Sequence, residues 1–308
     1  GITLNKSNAT RLLNGKLNRV RTTGRVTELS KLVNEQKYQG KIGIAHTRWA
    51  THGAPSERNA HPHFSGDTSK VAVVHNGIIE NHEVLQQRLK DEGFEFHSDT
   101  DTEVIAHLIT LYLKKEPDLF EAVCLSISDL QGAYAIAVME ETHPERIIVS
   151  RNGAPLIMGL GENGNYAASD TSALLQVTKS MIYLEEGDVA ELYQDSYRIV
   201  NCLGAGPHTK VTREIHESDL TNAAVEMGPY DHFMQKEIFE QPSAVANTLE
   251  MVLNAHSISP KLFGSKAEDI LKSTDGILIL ACGTSYHAGL VARYWLESVA
   301  GITCNVEI

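Results

Sequence analysis

The sequence predicts an α+β domain followed by the opening of a separate α/β unit, and three features point there. Short β-rich runs at residues 41–45 and 70–75 end abruptly in polar residues, the pattern of buried strands that carry functional groups at their ends. Amphipathic helical patterns then give way to a second series of strands. Beyond residue 230 the order becomes strand, glycine turn, helix and strand, the grammar of a doubly wound α/β unit.

Between residues 81 and 93, "NHEVLQQRLKDEG" sets Val84, Leu85 and Leu89 on one helical face, with Asn81 placed to cap its start and Gly93 its end. A second helix is expected over 102–115, acidic at its front and ending in lysines as the macrodipole favours. A third runs over 119–130 and stops near Gly132. Strands follow in "GAYAIAVME" and "ERIIVSRNG", with hairpins at "GENGNY" and "YQDSYR", whose Gly, Asn and Asp residues suit tight turns.

After Val200 the chain turns small and polar without a sustained period, which marks a connection between domains. A helical stretch then runs from Phe233 with a break at Pro242, before the strand "GILILA", the turn "CGTS", the helix "YHAGLVARYWLESVAG" and a final strand in "CNVEI". One and a half strands do not make a sheet, so the second domain is expected to be incomplete.

Composition narrows the function. With 308 residues, a formal charge of −12 and no block of lysine or arginine, a broad nucleic-acid footprint is disfavoured, and a small molecule is the expected partner. No apolar run approaches the roughly 18 residues of a membrane span and the start has no signal-peptide core, so no membrane association and a cytoplasmic location are expected. Cys124, Cys202, Cys282 and Cys304 lie far apart without a CxxC pair, which argues for reduced thiols over a disulfide framework or a thiolate zinc site. Gly1 in place of an initiator methionine suggests a processed, trimmed or partial product.

Four polar clusters carry chemistry. His46, Arg48, Trp49, Thr51 and His52 follow the first strand, with His61 and His63 nearby. There is no HExxH spacing and Pro62 separates two of the histidines, so no metal is expected. A satisfied surface loop is the plainer reading; the sharper one makes Arg48 a clamp for a carboxylate or phosphate beside the indole of Trp49. In "VVHNGIIENH", Asn76-Gly77 reads either as a tight turn or as an oxyanion hole built from the Asn amide and the Gly N–H. In "HSDTDTEVIAH", Asp99 and Asp101 read as helix caps, or Asp101 as the partner of an α-amino group opposite Arg48. In "LACGTSYHAG", Thr284 and Ser285 read as a phosphomonoester site at a helix start or as an ordinary cap, with Cys282 as inert packing.

Taken together, "HTRWATHG", "HPHF", "VVHNGIIENH", "SDTDTEVIAH", "LQGAYAIAV", "DHFMQKEIFEQP" and "ILACGTSYHAGLVARYWLE" closely resemble the glutamine:fructose-6-phosphate amidotransferase family, in the same order along nearly the whole chain. The resemblance implies an N-terminal-nucleophile hydrolase (class II glutaminase) αββα sandwich over 1–203, a linker over 204–229 and the beginning of a sugar isomerase domain over 230–308. It implies glutamine hydrolysis by an N-terminal cysteine whose α-amine is the base, with ammonia passed to fructose 6-phosphate to give glucosamine 6-phosphate for hexosamine synthesis. Arg48 would hold the glutamine carboxylate, Asp101 its amine, and Asn76 with Gly77 the oxyanion; Thr51 and His61 would line the pocket and Trp49 the ammonia exit. Thr284 and Ser285 would face the sugar phosphate. No cofactor or metal is implied, and a homodimer through the isomerase domain is expected by analogy. The nucleophilic cysteine is not among the 308 residues, so the chain as given is expected to catalyse little. The competing readings are a sugar-phosphate sensor with a degenerate glutaminase domain and the glutaminase domain of an amidophosphoribosyltransferase-like enzyme.

Overall fold

The computed structural model describes residues 2–5, 17–36, 40–48, 53–65, 71–203, 208–218, 227–249 and 267–308. The chain forms two compact units, Gly1–Glu226 and Met227–Ile308.

The first unit is built on a seven-stranded antiparallel sheet in the order β13-β12-β11-β7-β6-β5-β4. Its strands are β4 (His63–Phe64), β5 (Val71–Ile79), β6 (Gly132–Glu140), β7 (Ile147–Asn152), β11 (Asp188–Leu192), β12 (Tyr197–Asn201) and β13 (Thr209–Val211). Side chains alternate across a pleat, and β5 uses both faces. Val71 and Val73 join Ile136, Val138 and Ile148 under the helices α2 (His82–Asp91), α3 (Thr102–Leu113) and α4 (Leu119–Asp129). Ala72 and Val74 point the other way, to Leu17 and Ile44 of a three-stranded sheet formed by β1 (Ile2–Asn5), β2 (Leu17–Val20) and β3 (Gly43–Ala45). Along the same face, Val149 and Ala190 pack on a four-stranded sheet of β8 (Ile157–Gly161), β9 (Gly164–Ala168), β10 (Ser180–Tyr183) and β14 (His216–Glu217), whose Met158 and Ile182 are fully buried. Helix α1 (Val26–Glu35) buries no side chain and follows β2. The expected stacked-sheet sandwich with a helical cover is therefore present.

Both hairpins form where the turn residues place them. Gly161 pairs with Gly164 across Glu162-Asn163, and Leu192 pairs with Tyr197. Other expectations need correction. The strand expected at 70–75 continues to Ile79, so Asn76-Gly77 is not a turn: Asn76 is opposite Ala135 and Gly77 opposite Tyr134. Asn81 stands at the start of α2 without capping it. Its amide donates to Asp129 O (2.8 Å) and accepts from Gln131 N (3.0 Å), tying α2 to the α4–β6 connection. Gly93, with φ +85°, does end α2. Asp118 caps α4 through the amides of Phe120 and Glu121, and its other carboxylate oxygen pairs with Arg146.

In the second unit, α5 (Phe233–Leu249) runs continuously through Pro242, where a break was expected. Its flanking side chains are exposed, so water can satisfy the carbonyl that proline leaves without an N–H donor. Then come α6 (Ala267–Lys272), β15 (Gly276–Leu280), α7 (Gly283–Trp295) and β16 (Thr303–Glu307). β15 and β16 pair in parallel, and α7 lies close enough that a Cβ on Gly289 would sit 3.0–3.1 Å from Val306 and Ile279. This is the expected strand–helix–strand unit.

Candidate active site

The site is assembled around the end of β5. The strand is buried from Val71 to His75 and opens at Asn76, Gly77 and Ile78. Gly77 has φ +125°, and a Cβ there would fall 2.0 Å from Ala133 O, so only glycine lets β5 and β6 stay paired at this point.

The chain just beyond β3 supplies His46, whose Nε2 lies 2.7 Å from Asn76 Oδ1. His46 Nδ1 is 2.8 Å from His61 Nδ1; His61 Nε2 is 2.9 Å from Thr102 Oγ1, and that hydroxyl is 3.0 Å from His75 Nδ1. Burial lowers the His46 pKa to about 4 against the opposing hydrogen bond to Asn76. His61 lies well below its usual value, again mainly through burial and then through its histidine neighbours. Both rings are therefore neutral near pH 7, and the direction of each bond follows. Asn76 Oδ1 accepts only, so His46 donates from Nε2. Its Nδ1 then accepts from His61, His61 Nε2 accepts from Thr102, and Thr102 accepts from His75. With its oxygen committed to His46, the Asn76 amide has a fixed sense.

Beside this series a second polar group anchors the start of α3. His63 Nε2 meets Thr100 Oγ1 at 3.1 Å, Thr100 meets Ser98, and Ser98 donates to Glu103 Oε2 at 2.6 Å. The backbone amides of His97 and Ser98 also donate to Glu103. Burial would raise the Glu103 pKa, but the His107 ring beside it, Ser98 and these amides outweigh burial and hold it down to about 2. Burial lowers His63 to about 3 despite Glu103.

Arg48 is half-buried, and its Nη2 donates to Gly53 O at 3.1 Å. Asn59, fully buried, ties the following loop to the α3 approach: it donates to Ala54 O and Asp99 Oδ2 and accepts from Asp99 N. Arg58 forms an ion pair with the same Asp99. Asp101 stands at the N-cap position of α3 but does not cap it; its Oδ2 accepts from Ile79 N at 2.9 Å, just past the Asn76-Gly77 pair. Three segments far apart in sequence thus meet at the end of β5. Trp49, Thr51 and His52 lie outside the described residues. His61, expected to line a pocket, is buried with both ring nitrogens engaged by His46 and Thr102. The histidine series and the Asn59 clasp were missed by sequence reasoning; the density of histidines in residues 46–63 was their one visible trace.

In the second unit Thr284 and Ser285 are exposed in the first turn of α7. Cys282, expected as inert packing, is exposed at the N-cap position and makes no side-chain cap bond. A cavity of about 730 Å³ lined by Lys41, Ile42, Tyr166 and Tyr193 contains none of these candidate residues. None of the described helices is long and apolar enough to cross a membrane.

A helix-covered antiparallel sheet stacked on smaller sheets, with a buried polar network at one strand end, is an architecture shared with N-terminal-nucleophile hydrolases. The sequence pattern of the glutamine amidotransferase domain matches residues 33–230, and the chain belongs to that family. It is 53% identical over 292 residues to a protein of Idiomarina loihiensis named glutamine–fructose-6-phosphate aminotransferase (isomerizing), covering 95% of this chain and 47% of that protein. A protein of the same name from Bordetella pertussis is 53% identical over 300 residues, covering 96% and 48%. The chain spans about half the length of the curated relatives it matches. In fold it is similar to glutamine phosphoribosylpyrophosphate amidotransferase from B. subtilis complexed with ADP and GMP, with a TM-score of 0.51 and 23% identity over 99% of this chain and 58% of that one.

Proposed function

We propose that these residues belong to an enzyme that hydrolyses glutamine in the first unit and passes the ammonia to fructose 6-phosphate, forming glucosamine 6-phosphate. The observation that carries the reading is the bond from His46 to Asn76 Oδ1, because it leaves the amide nitrogen of Asn76 to serve as a donor beside the N–H of Gly77. When the glutamine carbonyl is attacked, its oxygen becomes negative, and two fixed donors stabilise that charge without reorganising.

Arg48, steadied by Gly53 O, would take the glutamine carboxylate through its planar fork, and Asp101, oriented by Ile79 N, the ammonium group. Trp49 and Thr51 complete the pocket in this reading, and His61 acts through His46 on Asn76. The attacking thiolate comes from a cysteine at the N-terminus of the complete polypeptide, with its own α-amine as base; the α-amine's ordinary pKa of about 7.7–8.0 suits that role. None of Cys124, Cys202, Cys282 and Cys304 has such an amine. Thr284 and Ser285 would bind the sugar phosphate with the amides that open α7. Enclosed transfer keeps ammonia from dilution, and self-association of the isomerase region completes the reading.

The test is product formation by the complete polypeptide carrying these residues. Fructose 6-phosphate should raise glutamate release from glutamine, and glucosamine 6-phosphate should accumulate with it. Transfer of nitrogen to a phosphoribosyl acceptor instead, or sugar-phosphate binding with no glutamate release, would overturn the assignment.

A further inference from the structure

Two of the four cysteines, separate in sequence, meet in the first unit. Cys124 is fully buried in α4, and Cys202 follows β12 directly, with its backbone N–H bonded to Gly187 O at 2.9 Å. Their sulfur atoms come within 4.8 Å of each other. The register of β12 and β13 ends with Asn201 opposite Thr209, so the next residues outward, Cys202 and His208, face one another across the mouth of the strand pair. The ligand atoms of Cys124, Cys202 and His208 all lie within 4.8 Å of one another. One helical turn before Cys124, Glu121 places Oε2 3.5 Å from His208 Nε2.

From this convergence of a helix and two strands we infer a zinc site, with Cys124 and Cys202 as thiolate ligands, His208 as the imidazole ligand and water in the fourth position. With Zn–S near 2.3 Å and Zn–N near 2.0–2.1 Å, a tetrahedral ion needs ligand atoms roughly 3.5–3.8 Å apart, so binding draws the three side chains together by up to about 1 Å from the observed 4.8 Å limit. Two sulfurs and one nitrogen select zinc over the hard cations calcium and magnesium, which take oxygen donors. Each thiol releases its proton as the metal binds, so two thiolates neutralise the divalent charge and the buried group carries no net charge. Glu121 orients the imidazole in the way carboxylates support metal-bound histidines. The ion pins α4 to the β12–β13 end of the sheet; it has no part in the glutamine reading and stands or falls separately.

The test uses the purified, reduced chain, stripped with chelator and titrated with Zn²⁺ against a competing indicator, with Co²⁺ as the optical probe. One zinc per chain and the thiolate-to-cobalt charge-transfer band of tetrahedral coordination are expected. His208→Ala, at a half-buried position, should weaken binding at least about tenfold, as should Cys202→Ser, and Glu121→Gln should weaken it about 10-fold or more. Cys304→Ser should leave affinity unchanged. Equal zinc affinity and stoichiometry in the parent chain, His208→Ala and Cys202→Ser would overturn the site, as would a cobalt spectrum without a thiolate band.

Discussion

β5 and β15 begin from similar sequence and end differently. "VAVVHNG" and "GILILACG" are both apolar runs that stop in a polar, glycine-containing segment. β5 is buried on both faces to His75, because helices cover one side and small sheets the other. β15 alternates between exposed and half-buried, with Leu278 and Leu280 open to solvent; among the described residues of this unit, β16 pairs with it and α7 packs on it. A continuous apolar run reports the demand for burial; only the neighbours show whether it is met. The polar ends differ accordingly. Asn76 is held by a series of hydrogen bonds that leaves β5 at His75 and returns to it through Thr102, His61 and His46, whereas Thr284 and Ser285 are exposed in the first turn of α7.

Glycine replacement gives the sharpest contrast. Gly77 and Gly283 both have positive φ, +125° and +60°, but a Cβ meets Ala133 O at 2.0 Å in the first and nothing within 4 Å in the second. Gly77→Ala should therefore cost several kcal/mol, of order 3 or more, by adding a main-chain clash to backbone strain, while Gly283→Ala should cost about 1–2 kcal/mol. Denaturant midpoints of the two variants check this; equal losses would remove the distinction.

The next effect is on rate. In the complete polypeptide, Asn76→Ala should lower glutaminase kcat about 10²–10³-fold, the usual loss for one oxyanion donor. His46→Ala should lower kcat by less, about tenfold, with KM for glutamine little altered, because His46 acts on the donor and not on the substrate. His46→Gln, whose amide can still donate to Asn76 Oδ1, should recover part of the loss; a raised KM with unchanged kcat would place His46 in substrate binding instead.

A pH dependence of the first unit follows from its buried histidines. In the unfolded chain these histidines take protons near pH 6.5, whereas in the fold His46 and His63 resist protonation to about pH 4 and 3. The unfolded state binds more protons in that window, so stability present above about pH 6.5 declines as pH falls toward 4 and below. Glu103, held to about 2, adds a further loss of stability below about pH 4.5. Melting followed by amide exchange in each unit should show β5 and α3 losing protection on acidification before α7 does; parallel losses in both units would break the comparison.

Much of the framework was legible in sequence because it is local. The helices over 82–91, 102–113 and 119–129 and both hairpins follow from periodicity and turn residues. Local rules failed where a distant partner intervened. Asn81 had a cap's chemistry, but Asp129 and Gln131 took its amide. Asn76-Gly77 had a turn's composition, but pairing with β6 kept it extended. Of the candidate site, Arg48, Asp101 and Asn76 could be singled out by residue type, whereas the contact of His61 with Thr102 and that of His46 with Asn76 exist only after the sheets stack. The same holds for Cys124 and Cys202, which no spacing rule connects.

Thr102 has one proton to give, and it gives it to His61 while receiving from His75. Every bond dipole from His75 to Asn76 consequently points the same way, and the dipoles add along the series. Drawing electron density toward the Asn76 oxygen polarises the amide and makes its nitrogen a stronger donor, yet no net charge is introduced. Such reinforcement has no long-range field for dissolved salt to screen, so it should survive at ionic strengths that weaken the Arg48 contact.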